Sequence, residues 1–203
     1  MNPPHRNLSL AIVIGLATAL LLMNGCSAPS PVQGPRSSAP EEAPGPDPSA
    51  RILIGESPEL EEVRGVPDPG VIRIFSVRGT HNQLTLYFEP RTDDACHRDL
   101  AAYSAWADNL LNEREIRTVE VGRDRNPVKE AGFACVAKTY VNVQRPGEPP
   151  PTSICDAAGF RFETPGGFWT VSCNTDRGKV QQGIDAINEC LRVMSINRAN
   201  RQD

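Results

Sequence analysis

Every aromatic residue of this 203-residue chain lies between Phe75 and Trp169. Aromatic side chains carry much of the apolar area that a small core can bury. The folded part must therefore be built around that stretch. This predicts one domain over 71–196, about 125 residues, an ordinary single-domain size. The polar run NRANRQD, at 197–203, reads as a frayed tail. Upstream, Ile52 to Pro69 fits two descriptions. RILIG suits a short edge strand, and SPELEEVRG suits an acidic helical turn or more linker.

Within the domain the apolar period switches between two and about four. VIRIFSV and QLTLYFE alternate and are rich in β-branched and aromatic residues, so they predict a hairpin across RGTHN. Asp93 or Asp94 can cap a following helix. There Cys96, Leu100, Tyr103, Ala107 and Leu110 recur at helical spacing, and Trp106 widens the face. IRTVEV and ACVAKTYVNV predict strands, separated by the charged loop GRDRNPVKEAG. GFRFET and GFWTVSC flank Pro165–Gly166 and predict a second hairpin. Asn174, Thr175 or Asp176 would start a last helix, on which Val180, Ile184, Ile187, Leu191 and Met194 form a core stripe. The order predicts an α+β domain: an antiparallel or mixed sheet of five to six strands with two helices on one face.

The N-terminus follows a different logic. Arg6 is followed by an apolar run from Leu8 to Met23. As a helix this run would span only about 24 Å, short of the roughly 30 Å hydrocarbon core. A charged head, a short apolar middle and a small residue make the layout of a secretory signal. The run ends at Gly25 and Cys26, and this stretch resembles the lipobox of bacterial lipoproteins. Met23 stands where that class usually has leucine, and Asn24 where a small residue is commoner. The resemblance implies a signal peptide over 1–25, cleavage before Cys26, and acylation of its thiol and new amine. Two or three acyl chains anchor a protein stably. The resemblance implies a membrane partner through the lipid, on the extracytoplasmic side, and the outer membrane where the cell has one. From 26 to 70 the chain is mostly Pro, Ser, Ala and Gly before Ile52, and it reads as a tether. At about 3.1 Å per residue, Ser27 to Ala50 would reach roughly 75 Å.

Export bears on charge and cysteines. Losing the leader removes Arg6 and no acid, so 21 basic side chains become 20 against 25 acidic, a balance of −5. That argues against nucleic acid as a partner. Besides Cys26 there are Cys96, Cys135, Cys155, Cys173 and Cys190. In an oxidising compartment disulfides are the default. No C-x-x-C pair occurs, which disfavours zinc and thioredoxin-type chemistry. Tracing strand directions about the Pro165–Gly166 turn brings Cys155 and Cys173 to one end. The last helix carries Cys190 to the other. The predicted bridges are Cys155–Cys173 and Cys96–Cys190, leaving Cys135 as a buried thiol.

The motifs favour a binding or assembly module over an enzyme. No G-x-S-x-G elbow, H-E-x-x-H pair or phosphate loop occurs, and no catalytic residue, cofactor or metal site is assigned. The densest polar cluster is DDACHRDL. Asp93, Cys96, His97 and Asp99 could serve an extracytoplasmic enzyme or a metal, the alternative reading. However, adjacent side chains on a helix diverge by about 100°, which would keep Cys96 and His97 apart. A capped helix start explains the acids more simply. Approach of His81 and Asp99 to His97 would favour the alternative. Arg123, Arg125 and Lys129 gather in one loop that could dock an anionic ligand or an envelope protein, although a solvated loop is the simpler reading. Trp169 alternates with Phe168 along one strand, so one of them should leave the core. An exposed Trp169 would mark a binding surface.

Overall fold

The structure is a computed structural model and describes residues 50–63, 70–111, 114–143, 147 and 155–198. Cys26, the expected signal and the tether as far as residue 49 lie outside these residues. The strands are β1 (Ala50–Ile54), β2 (Leu60–Val63), β3 (Val71–Val77), β4 (Gln83–Pro90), β5 (Glu115–Thr118), β6 (Cys135–Val141), β7 (Cys155–Thr164), β8 (Gly167–Asp176) and β9 (Met194–Arg198). The helices are α1 (Leu100–Asn109), α2 (Pro127–Glu130) and α3 (Val180–Val193), with a 3-10 turn at Ala95–His97 before α1. Seven strands form one antiparallel sheet in the order β2-β3-β4-β8-β7-β6-β5, and β1 and β9 form a separate antiparallel ribbon. The class is α+β, as the sequence predicts, with more strands than expected.

Both predicted hairpins form. β3 pairs β4, and β7 pairs β8 across Pro165–Gly166. β7 and β8 are the longest strands, ten residues each, and occupy the middle of the sheet. Their residues are buried on both faces. Phe160, Phe162, Trp169, Val171 and Cys173 point to one side, while Phe168 and Arg161 point to the other.

The two long helices take opposite faces, so the expectation of two helices on one face is corrected. α3 lies over the first side, where Gly183 sits against Ala158, Thr175 and the Cys173 carbonyl. α1 lies over the second, with Tyr103 stacked on Phe168 at a centroid distance of 4.5 Å. The main core fills the α3 side. There Ile187, Cys190 and Leu191 meet Leu84, Leu86, Phe160, Phe162 and Trp169. Ala186 is buried there, and Val180 and Ile184 pack at the margin. Met194 is fully buried as well, but it opens β9.

The helix starts also differ from expectation. Asn174 to Asp176 continue β8, and α3 begins only after Gly178, whose φ of +78° suits glycine. Asp94 precedes the 3-10 turn without a side-chain cap, and Asp99 caps α1 by accepting from the Ala102 amide. On α1 only Tyr103 and Ser104 are buried, and Leu110 beyond its end is 54% exposed. The helix thus docks through a few side chains and not through the continuous stripe expected.

The domain begins earlier than residue 71. Ala50 to Ile54 pairs with β9 in the register Ala50↔Arg198 to Ile54↔Met194. Leu60 to Val63 pairs with β3. Ala50, Ile54 and Leu60 are buried. The aromatic boundary failed because this segment adds aliphatic core without rings. Asn197 and Arg198 likewise belong to β9 and not to a tail. Mild proteolysis should therefore leave a core whose N-terminus falls at or before Ala50. A core starting near Val71 by mass would contradict the pairing.

Neither predicted disulfide is present, and Cys96, Cys135, Cys155, Cys173 and Cys190 form no bridge among themselves. In the β7–β8 register Cys155 faces Asp176 and Cys173 faces Ala158. Three positions amount to about 10 Å along a strand, beyond the separation a disulfide spans. The odd offset also turns the two thiols to opposite faces of the sheet. The prediction failed because β8 runs three residues past Cys173. Cys96 and Cys190 belong to the α1 and α3 layers, with the sheet between them. Burial pushes the Cys173 and Cys190 thiols up to about 12.

Candidate functional site

A groove of about 630 Å³ runs along the outer side of α3. Helical spacing places Gln181, Asp185, Asn188 and Arg192 on one stripe of α3, with Ile184 and Glu189 beside them. The opposite wall is the loop from Val119 to Arg125, and Glu59 closes the lining. The loop is held by backbone contacts. The Gly122 N–H donates to Asn188 Oδ1 at 2.7 Å. Gly122 has a φ of +68°, and a Cβ there would meet the Arg125 carbonyl at 3.0 Å and Asn126 Cβ at 3.1 Å. Only glycine fits this bend without displacing the wall.

Two of the three predicted cations line this groove, but their charge is matched within the fold. Arg123 pairs with Glu120 at 3.0 Å. Arg125 donates to the Arg192 carbonyl at 2.7 Å and lies 3.7 Å from Glu130. Arg192 pairs with Glu189 at 2.6 Å. The lining holds Glu59, Glu120, Asp124, Asp185 and Glu189 against Arg123, Arg125 and Arg192. The groove thus carries more negative than positive charge, the reverse of an anion dock. Lys129 instead borders a smaller cleft of about 360 Å³ with Asn126, Cys135 and Phe160. Cys135 is half-buried, and burial raises its thiol above the ordinary value. Sequence reasoning found the loop of the groove but missed its other wall. The outer residues of α3 looked like an ordinary solvated face.

Trp169 lies outside the groove. It is 2% exposed, stacked over Phe162 and tilted against Phe88. Phe168 is fully buried on the opposite face. The alternation was read correctly, but both faces are covered, so neither ring is left as a binding surface.

The polar cluster before α1 is partly assembled. Cys96 Sγ and His97 Nδ1 approach to 3.4 Å, contrary to the expected divergence. Thr92 Oγ1 lies 2.9 Å from the same Nδ1, and Asp94 Oδ2 lies at 4.0 Å. The imidazole packs against Tyr103, Trp106 and Phe168, with centroids at 5.8–6.0 Å. Asp99 points instead to the helix start and Arg98. No contact joins Asp93 to His97 among the described residues. His81 lies in the turn between β3 and β4, near the C-terminal end of β8, where it adds to the stronger effect of Lys179 in lowering the Asp176 carboxyl. Among the described residues no group of three or more His, Cys, Asp or Glu side chains could hold a metal ion.

Beneath α1 lies a second charged cluster that the sequence did not reveal. Asp108 accepts from Lys138 Nζ at 2.5 Å, Tyr140 OH at 2.9 Å and Arg161 Nη1 at 3.1 Å. Arg161 is 6% exposed, also donates to Ser104 Oγ and sits over the Tyr140 ring. Burial alone would raise the Asp108 carboxyl, but the hydrogen bonds from Lys138, Arg161 and Tyr140 outweigh it and hold it below the usual value. Burial raises the Tyr140 hydroxyl. These groups saturate one another, and their arrangement clamps the C-terminal end of α1 to the sheet. At the other end Arg91 pairs with Glu163 and donates to the His97 and Arg98 carbonyls, while Glu163 accepts from the Leu100 amide.

These features define an antiparallel α+β domain, covered by a helix on each face, with one open, mixed-charge groove. No family model and no curated protein matches the chain. Among solved structures, the solution structure of cyanobacterial PsbP (CyanoP) from Synechocystis sp. PCC 6803 is similar at 13% identity. The match covers 82% of this chain and 100% of that one, with a TM-score of 0.40.

Proposed function

We propose that this chain is a lipid-anchored envelope protein, held at Cys26, whose domain recognises a ligand or partner protein through the α3 groove. The observation that carries the recognition reading is the groove itself. It is preformed, its loop wall is pinned to Asn188, and it combines the apolar Val119 and Ile184 with carboxylates, guanidiniums and amides. Recognition sites commonly mix apolar walls with a few placed polar groups. The acid excess favours a ligand with cationic or hydrogen-bond-donating groups over an anion. The anchor rests on the apolar run that stops at Gly25–Cys26. With β1 starting at Ala50, the segment from Ser27 to Ser49 is the tether in this reading. It would let the domain stand roughly 70 Å from the bilayer. The resulting location is the extracytoplasmic face of a membrane.

Metabolic labelling tests the anchor. Cells fed a radioactive or alkyne-bearing fatty acid should label the wild-type protein at Cys26 and leave Cys26→Ser unlabelled. The variant should also leave the membrane fraction or keep its leader. A wild-type protein that takes up no label and fractionates away from membranes would overturn the anchor.

A further inference from the structure

We propose that Cys96 is a thiol-exchange site, at which His97 accepts the thiol proton while Cys96 Sγ attacks a low-molecular-weight disulfide. The juxtaposition that points there is a nucleophile and a base in contact: Sγ to Nδ1 is 3.4 Å, and Cys96 is partly exposed. A nucleophile and a base within reach, with a third group orienting the base, is the usual arrangement of an activated thiol. Here the orientation is doubly fixed. Tyr103, Trp106 and Phe168 hold the ring plane. The Thr92 hydroxyl, 2.9 Å away, lies at the same nitrogen. The Thr92 hydroxyl donates its proton to Asp94 Oδ2 at 3.1 Å, so in the tautomer with its proton on Nε2 the single lone pair of Nδ1 is left for the Cys96 thiol. Asp94 Oδ2 lies 4.0 Å from Nδ1.

The step balances without an added oxidant. Cys96–SH and R–S–S–R become Cys96–S–S–R and R–SH. One S–S bond forms and one breaks. The proton passes from Sγ to His97 Nδ1 and then to the departing thiolate. Exchange proceeds through the thiolate and depends on access to it. The other thiols meet these conditions less well. Cys173 and Cys190 are fully buried. Cys135 is contacted by the Asn126 amide at 3.9 Å, and burial raises its thiol above the ordinary value. Cys155 lies in strand β7 opposite Asp176. This site is separate from the α3 groove, on the other side of the sheet, and stands or falls independently of it.

The test is a time course of the full-length reduced protein with glutathione disulfide, mapped peptide by peptide so that Cys26 is scored apart. Cys96 should form the first mixed disulfide among the five domain cysteines. It should outpace Cys135 and Cys155 by about tenfold or more, within the range that proton transfer by a positioned base supplies. His97→Phe keeps a ring among Tyr103, Trp106 and Phe168 but removes the base. It should slow Cys96 by about tenfold while leaving the rates at Cys135 and Cys155 unchanged. A synthetic peptide spanning 92–99 provides the rate without the folded arrangement. Cys96 reacting no faster in the wild-type protein than in the peptide, or equally fast in His97→Phe, would overturn the proposal. So would earlier modification of Cys135 or Cys155.

Discussion

Gly167→Ala should destabilise the domain by at least about 3 kcal/mol, the upper range for overpacking a closed site. Gly167 starts β8 and faces Pro90 of β4 and Thr164 of β7. A Cβ there would fall inside the van der Waals envelope of the Glu89 carbonyl oxygen. It would also come within 2.9 Å of Pro90 Cα and 3.0 Å of the Arg91 nitrogen. All three obstacles are backbone, so relief requires β4 and β8 to part in the middle of the sheet. Gly79→Ala is the matched control. Gly79 has a φ of +74° and nothing within 4 Å of a Cβ, so it should lose only the left-handed strain, about 1–2 kcal/mol. Equal midpoints for the two variants in urea unfolding would contradict the packing at β4–β8.

TPGGF was legible as a hairpin turn because Pro165 and Gly166 interrupt two alternating runs. The tight place for Gly167 was not legible, since it depends on a third strand, β4, far away in sequence. The same limit explains the other departures. The β1–β9 ribbon joins residues 140 to 148 positions apart, from Ile54↔Met194 to Ala50↔Arg198, and RILIG has no local signal that names Met194–Arg198 as its partner. The placement of α1 and α3 on opposite faces follows from Phe168 and Trp169 both being apolar. An alternating pattern with two buried sides looks the same as one with a single exposed aromatic. The disulfide map failed for a local reason. The end of β8 was placed at Cys173, and three more residues in the strand reverse which face each thiol takes.

Asp108→Ala should cost about 3 kcal/mol, because it strips the carboxylate from Arg161 and Lys138 at a largely buried position. Arg161 and Lys138 side chains are 7% and 19% exposed, so water can replace only part of the lost interaction. The effect has a definite pH dependence. The folded Asp108 carboxyl lies below its usual value of 3.8. Its contribution is therefore complete above that value and is lost as pH falls through the folded value. The stability difference between wild type and Asp108→Asn should be constant near neutrality and shrink in acid below about pH 4. Thermal unfolding of both proteins across pH 2–7 measures this. A difference that stays constant down to pH 2, or grows there, would contradict the clamp. Asp108, Lys138, Tyr140 and Arg161 come from one helix and two strands. Nothing in their sequence spacing announces the cluster, whereas the cationic loop at 123–129 stood out by composition, and two of its cations, Arg123 and Arg125, pair with Glu120 and Glu130.

Recognition by the α3 groove is tested most directly by photo-crosslinking in intact cells. A photoreactive residue is placed at Gln181, on the exposed side of α3 within the groove. A second version carries it at Asp93, exposed near the start of α1 and outside the groove. Illumination should give a discrete adduct of fixed mass from Gln181 and not from Asp93. If Cys26 carries the proposed anchor, the adduct should diminish in Cys26→Ser. The same adducts from both positions, or none from Gln181, would contradict a groove built for recognition.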